Sequence, residues 1–126
     1  MTALRRYAER LAVVRLGPGA DVPSWATSAT LFSVTATAAE TSIVCGWAVV
    51  PTKARPAGPF TAFEVEGPLD FTLSGVLSTL LAPLAEEEIS VFTISTFDTD
   101  WILVGTDSAD RAEEAWRRSG HDITPA

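Results

Sequence analysis

The chain has 126 residues, 47% of them hydrophobic, and its nine lysines and arginines against sixteen aspartates and glutamates give a formal net charge of −7. A chain of this length and apolar content buries a core, which excludes a disordered polymer, and its apolar runs fall short of the roughly 20 residues a membrane-spanning helix needs. The acid is concentrated between Glu64 and Glu114, where twelve carboxylates meet one base, Arg111, and such a surface opposes nucleic acid, whose phosphates call for lysine and arginine.

In chain order, residues 1–10 carry Arg5, Arg6 and Arg10 with no adjoining apolar stretch, so no secretory leader is read there. With a single cysteine, Cys45, that cannot pair internally, the expected location is the cytoplasm. Segments 11–16, 31–37, 42–50, 61–66, 89–97 and 101–105 are rich in β-branched and aromatic residues and bounded by Gly, Pro or Asp, which predicts strands. Segment 51–59, with three prolines and one glycine, reads as a linker. Leu73, Val76, Leu77, Leu80, Leu81 and Leu84 recur at steps of three and four and predict one long helix over 70–88, with Asp70 as its N-cap, Gly75 inside it and Pro83 bending or ending it. A shorter, more polar helix is expected over 108–118, burying Ala112, Ala115 and Trp116, and His121 falls in an expected C-terminal fray.

A weak internal repeat runs through these elements. Phe32-Ser33-Val34-Thr35, Glu40 and Ile43-Val44 align with Phe92-Thr93-Ile94-Ser95, Asp100 and Leu103-Val104 at an offset of 60. Upstream, the run from Val13 to Pro18 echoes the run from Phe63 to Pro68 at an offset of 50, so the first copy is shorter by nearly three helical turns and keeps only a turn around Pro23 to Ala26. Each copy then reads strand, Gly-Pro loop, helix, strand, tight turn, strand.

The run Val65-Glu66-Gly67-Pro68-Leu69-Asp70-Phe71-Thr72-Leu73-Ser74-Gly75-Val76-Leu77, with Leu80 to Ala85, Ile94 to Asp100 and Ile102 to Val104, resembles the ACT-domain proteins of the CASTOR-like group. The similarity extends to Trp25-Ala26, Phe32 to Thr35 and Ser42 to Cys45. The resemblance implies an α/β (α+β) protein of ferredoxin-like βαββαβ plan, with two ACT-like halves of antiparallel sheet, 1–58 and 59–126, the helix of the first half shortened. It also implies a module that senses amino acids or similar metabolites, often as a homodimer. Two positions depart from the family's habit: Glu88 replaces the usual Gly before the second strand, where a left-handed backbone strains it, and Trp101 stands where Tyr is common.

A free amino acid needs donors for its carboxylate and a counter-charge for its ammonium. Gly67, Pro68, Leu69, Asp70, Phe71, Thr72 and Ser74 form the turn entering the Leu-striped helix, where exposed amides and two hydroxyls suit an anion, and Asp98 and Asp100 supply negative charge for a cation. Asp70 is a helix cap before it is a ligand contact, the two roles not excluding each other, and Asp98 and Asp100 are turn-formers in any hairpin. Glu86, Glu87 and Glu88 read as a solvated acidic patch, Cys45 as a buried small hydrophobe, and the lone His121 makes neither a zinc site nor a triad. No catalytic constellation, metal site or cofactor is expected. The alternative reading is a protein interaction module with a vestigial pocket.

Overall fold

The computed structural model describes residues 2–67 and 75–126. They form two compact units, a smaller one of Glu9–Phe60 and a larger one of the remaining described residues, so residues 2–8, expected in the first half, lie with the second. Strands β1 (Ala3–Leu16) and β4 (Ala57–Val65) contribute residues to both. Among the described residues no helix is long and apolar enough to cross a membrane.

In the larger unit β4 is followed by α1 (Val76–Glu86), β5 (Val91–Ser95), β6 (Asp100–Gly105), α2 (Ala109–Arg118) and β7 (Asp122–Pro125), a βαββαβ sequence. The strands lie in the order β7, β1, β4, β6, β5, with β1 interposed beside β4 and paired to β7 in parallel, Ala3 opposite Asp122 through Arg6 opposite Pro125. Alternation along each strand sends Leu4, Phe63, Val65, Ile102 and Val104 to one face, where they meet Leu80 and Leu84 of α1 and Ala112, Ala115 and Trp116 of α2. Each large apolar side chain so buried contributes about 1.5–3 kcal/mol. Trp116 is fully buried, stands edge-on to Phe63 at 4.8 Å between centroids, and donates its indole N–H to the Leu80 carbonyl at 2.7 Å, so its one polar atom is satisfied and the two helices are tied together.

Both helices of this unit end the same way. The amides of Glu88 and Ile89 return to the carbonyls of Ala85 and Leu84, and those of Gly120 and His121 return to Arg117 and Trp116. This pairing requires a left-handed residue just past the helix, and Glu88 (φ 57°) and Gly120 (φ 89°) supply it. The strain expected at Glu88 is therefore present. Helix α1 passes through Pro83 and stops at Glu86, two residues before the expected end.

The smaller unit runs β1, a turn closed by Ala26 N–H to Pro23 O at 3.1 Å, β2 (Ser33–Ala36), β3 (Thr41–Gly46), two 3-10 turns (Trp47–Val49 and Thr52–Ala54) and β4. Strand order β2, β3, β1, β4 repeats the plan of the larger unit, with the first helix reduced to the expected turn and the second to the 3-10 turns. Ala12, Val14, Ala26, Ile43 and Cys45 form its core, with Trp25 and Trp47 partly buried against them. Cys45 is a buried free thiol, and burial, then the nearby Glu9 carboxylate, push it above its ordinary range. On the same unit Glu9 accepts the Ser28 hydroxyl at 2.9 Å and approaches the Ala29 amide, fixing the segment that leads to β2. Burial alone would raise the Glu9 carboxyl; hydrogen bonds from Thr30, Ser28 and Ala29 outweigh it and hold the group below its ordinary value.

The structure corrects several expectations. The two hairpins are equivalent at an offset of 59 rather than 60. Ala36 faces Thr41 and Ser95 faces Asp100, and in each turn a threonine, Thr37 or Thr96, directs its hydroxyl to the carbonyl three residues on, that of Glu40 or Thr99. In that register Thr37, Ile43 and Gly46 meet Thr96, Ile102 and Gly105, whereas a one-residue slip exchanges the faces of every side chain. Segment 51–59 is no linker, because β4 begins at Ala57. Gly58 (φ 123°) passes so close to β1 that a side-chain carbon there would meet the Leu11 carbonyl oxygen at 3.0 Å. The ends of the chain are strands as well. Residues 3–10 belong to β1, and His121 is not frayed but buried, leading into β7.

Candidate functional site

Strand β4 delivers the chain to the expected site. Its inward Phe63 and Val65 anchor it in the core, the Glu66 amide donates to the Ala3 carbonyl at 2.8 Å, and Gly67 follows exposed. The β5–β6 hairpin delivers the aspartates. Its turn is closed by the Thr96 amide on the Thr99 carbonyl at 2.8 Å, and the Thr99 amide returns to the Thr96 hydroxyl at 3.3 Å. Asp98 stands exposed on this turn. Asp100, half-buried, opens β6 and accepts the hydroxyl of its cross-strand partner Ser95 at 2.6 Å. By strand alternation Asp100 shares the face of Ile102 and Val104, the one that packs on the helices.

What joins the two segments is Thr99. Its side chain is buried, and its hydroxyl donates to the carbonyl of Val65 at 2.6 Å, two residues before Gly67. The tip of the β5–β6 hairpin is thereby fastened to the end of β4, and Gly67, Asp98 and Asp100 come to one end of the larger unit. Thr99 was not among the residues singled out by sequence. Its counterpart in the first hairpin is Glu40, the threonine that recurs in both turns being Thr37 or Thr96, so no repeated residue marks it in the sequence.

Of the other expected site residues, Pro68, Leu69, Asp70, Phe71, Thr72 and Ser74 lie outside the described residues. The cap of α1 is corrected: the N-cap is Gly75, not Asp70, and Gly75 is not inside the helix. Its φ of 82° is left-handed, and its carbonyl accepts the Thr79 amide at 3.0 Å and the Ser78 hydroxyl at 3.1 Å. The first free amides of α1 are therefore those that follow Gly75.

On the opposite face of the sheet, Tyr7 lies against Trp101 with ring centroids 5.2 Å apart and donates to Glu64 at 2.8 Å, while Arg5 pairs with Glu64 at 3.3 Å. Burial, then the Glu64 carboxylate, push the Tyr7 phenol upward. A cleft of about 330 Å³ opens elsewhere in the unit among Arg6, Glu113, Arg117, Ile123 and Pro125. Its charges are matched within the chain, since Glu113 is shared by Arg6 at 3.2 Å and Arg117 at 3.1 Å and Arg6 also pairs with Asp110 at 2.9 Å. Such a cleft offers an incoming charge no unsatisfied partner. Among the described residues no group of three or more His, Cys, Asp or Glu is placed to hold a metal ion.

Comparison with known proteins agrees with this architecture. Residues 58–118 match the family model of the ACT domain, and residues 9–53, all within the smaller unit, match a second model that describes an N-terminal domain. A crystal structure of a protein from Agobacterium tumefaciens superposes with a TM-score of 0.90 at 28% identity, covering 99% of this chain and 93% of that one. A protein of unknown function from Vibrio cholerae, described as a possible transport protein, gives 0.75 at 15% identity over 94% and 89%. The fold recurs in the aspartate kinase of Clostridium acetobutylicum, described as an allosteric enzyme, with a TM-score of 0.67 at 9% identity over 92% of this chain and 34% of that one. No curated protein matches the sequence.

Proposed function

We propose that this chain is a non-catalytic regulatory module that binds a free amino acid, a tandem ACT protein of the CASTOR-like kind working as a cytoplasmic homodimer. The ligand carboxylate is assigned to the segment of Gly67, Pro68, Leu69, Asp70, Phe71, Thr72 and Ser74, and its ammonium to Asp98 and Asp100. The observation that carries the reading is the Thr99–Val65 hydrogen bond, which supports a common site for the two aspartates and the Gly67 turn. The ACT match over residues 58–118 adds support for ligand binding, and the likeness to an allosteric aspartate kinase adds support at the level of fold.

The test is a thermal-shift panel of the twenty amino acids and common metabolites. A ligand that binds only the folded chain stabilises it by RT ln(1 + [L]/Kd), about 2.7 kcal/mol at a hundredfold excess over Kd. One amino acid, or a close group, is expected to raise Tm. A panel without any shift removes the reading and leaves the interaction module, which is favoured by Phe32 and Val34, 45% and 40% exposed in the smaller unit.

A further inference from the structure

His121 is the only histidine of the chain, and it is 5% exposed. The left-handed Gly120 turns the backbone out of α2, and the His121 amide closes the helix end on Trp116, which aims the imidazole inward. There its Nδ1 accepts the backbone N–H of Thr2 at 3.1 Å, and the next residue, Asp122, donates its own amide to the Thr2 carbonyl at 3.0 Å. Thr2 is thus gripped through both main-chain groups at the point where the parallel β1–β7 ladder begins.

We propose that this grip is an acid-sensitive latch: neutral His121 holds β7 on β1, and protonation of its Nδ1 releases the strand. The Nδ1 lone pair that receives the Thr2 hydrogen is the one a proton would occupy, so the imidazolium cannot keep the bond and must in addition carry a buried charge. Burial, then the positive amino terminus, hold the imidazole below its ordinary 6.5. The charged groups close to it in sequence are already engaged or lead away. Arg117 pairs with Glu113 and with the Ile123 carbonyl, Arg118 pairs with Glu114 and Glu87, and Asp122 is exposed on β7, while on β1, the strand that is gripped, Arg5 pairs with Glu64 and Arg6 with Asp110 and Glu113.

The sign follows from proton uptake. The released form binds the proton more tightly than the latched form, so the latch is at full strength above pH 6.5 and weakens as pH falls through the interval down to the depressed value. Across that interval the opening equilibrium grows by up to about tenfold for each pH unit lowered. Release frees the Ile123 side chain from the core and bares the β1 edge from Ala3 to Arg6.

The experiment is an NMR titration of the full chain between pH 7.5 and 4.5, following the His121 ring and the amides of Thr2, Asp122 and Thr124, in the wild type and in His121→Asn. The asparagine Oδ1 takes the place of Nδ1 as an acceptor but does not titrate. The expected result is one shared midpoint below 6.5 for ring and amides in the wild type, and amides indifferent to pH in the variant. A His121 ring that titrates at or above 6.5, amides that ignore the ring's titration, or amides that move equally in His121→Asn would each overturn the latch. The first two outcomes are read from the wild type alone, so the test survives a variant that folds poorly.

Discussion

The Thr99 hydroxyl reaches the Val65 carbonyl across 2.6 Å, from a hairpin turn to the end of a strand 34 residues earlier in the chain. The bond lies out of water, and it sets where the two turn aspartates stand relative to the Gly67 end of β4.

Thr99→Val keeps the volume and removes the donor. A buried carbonyl left unpaired costs about 1–3 kcal/mol, so the variant is expected to melt several degrees lower, while Thr99→Ser keeps the bond and loses less. If the turn positions the ligand, Thr99→Val also weakens binding more than its loss of stability accounts for. Calorimetric melting together with titration of the amino acid found in the thermal panel checks both.

Two left-handed positions of α1 carry opposite expectations. Gly75→Ala, which would stabilise a helix interior, is expected to cost about 1 kcal/mol at the left-handed N-cap, and Glu88→Gly is expected to stabilise by about the same amount by relieving strain past the helix end. Denaturant midpoints at pH 7 measure both shifts.

Glu9 gives the smaller unit a dependence on acid. Because its folded carboxyl lies below the ordinary value of 4.5, its contribution is complete above that value and is lost as pH falls through the depressed one. Glu9→Gln is therefore expected to be less stable than the wild type at pH 7 and to differ from it progressively less on acidification below 4.5, as urea melts at a series of pH values will show.

Much of the fold was legible because periodicity reports burial. The Leu-striped helix, the polar second helix with Ala112, Ala115 and Trp116 inward, and both hairpins follow from side chains that alternate or recur on one face. The start of β1 was not legible because an inward position is held by Arg6, whose guanidinium lies 5.8 Å over the Phe63 ring and pairs with Asp110 and Glu113, so the strand does not alternate apolar with polar. Strand β7 escaped notice because of its four residues only Ile123 is buried. The repeat was visible but not its register, since Val- and Thr-rich strands align nearly as well one residue out. At the candidate site the charges were legible and the link between them was not: Thr99 differs from any turn threonine only in its bond to Val65, a contact that no local pattern encodes.

The most direct measurement is an amide NMR titration of the chain with the amino acid that gives the largest thermal shift, compared with Asp98→Asn and Asp100→Asn. Binding at the assigned site predicts perturbations concentrated at Gly67, Asp98, Thr99 and Asp100, saturating at one ligand per chain, since the equivalent turn of the smaller unit has Ala39 and Thr41 where the aspartates stand. Both variants should weaken binding at least tenfold, the effect of losing about 1.4 kcal/mol. Perturbations that leave those four residues still, or affinity unchanged in both variants, would contradict it.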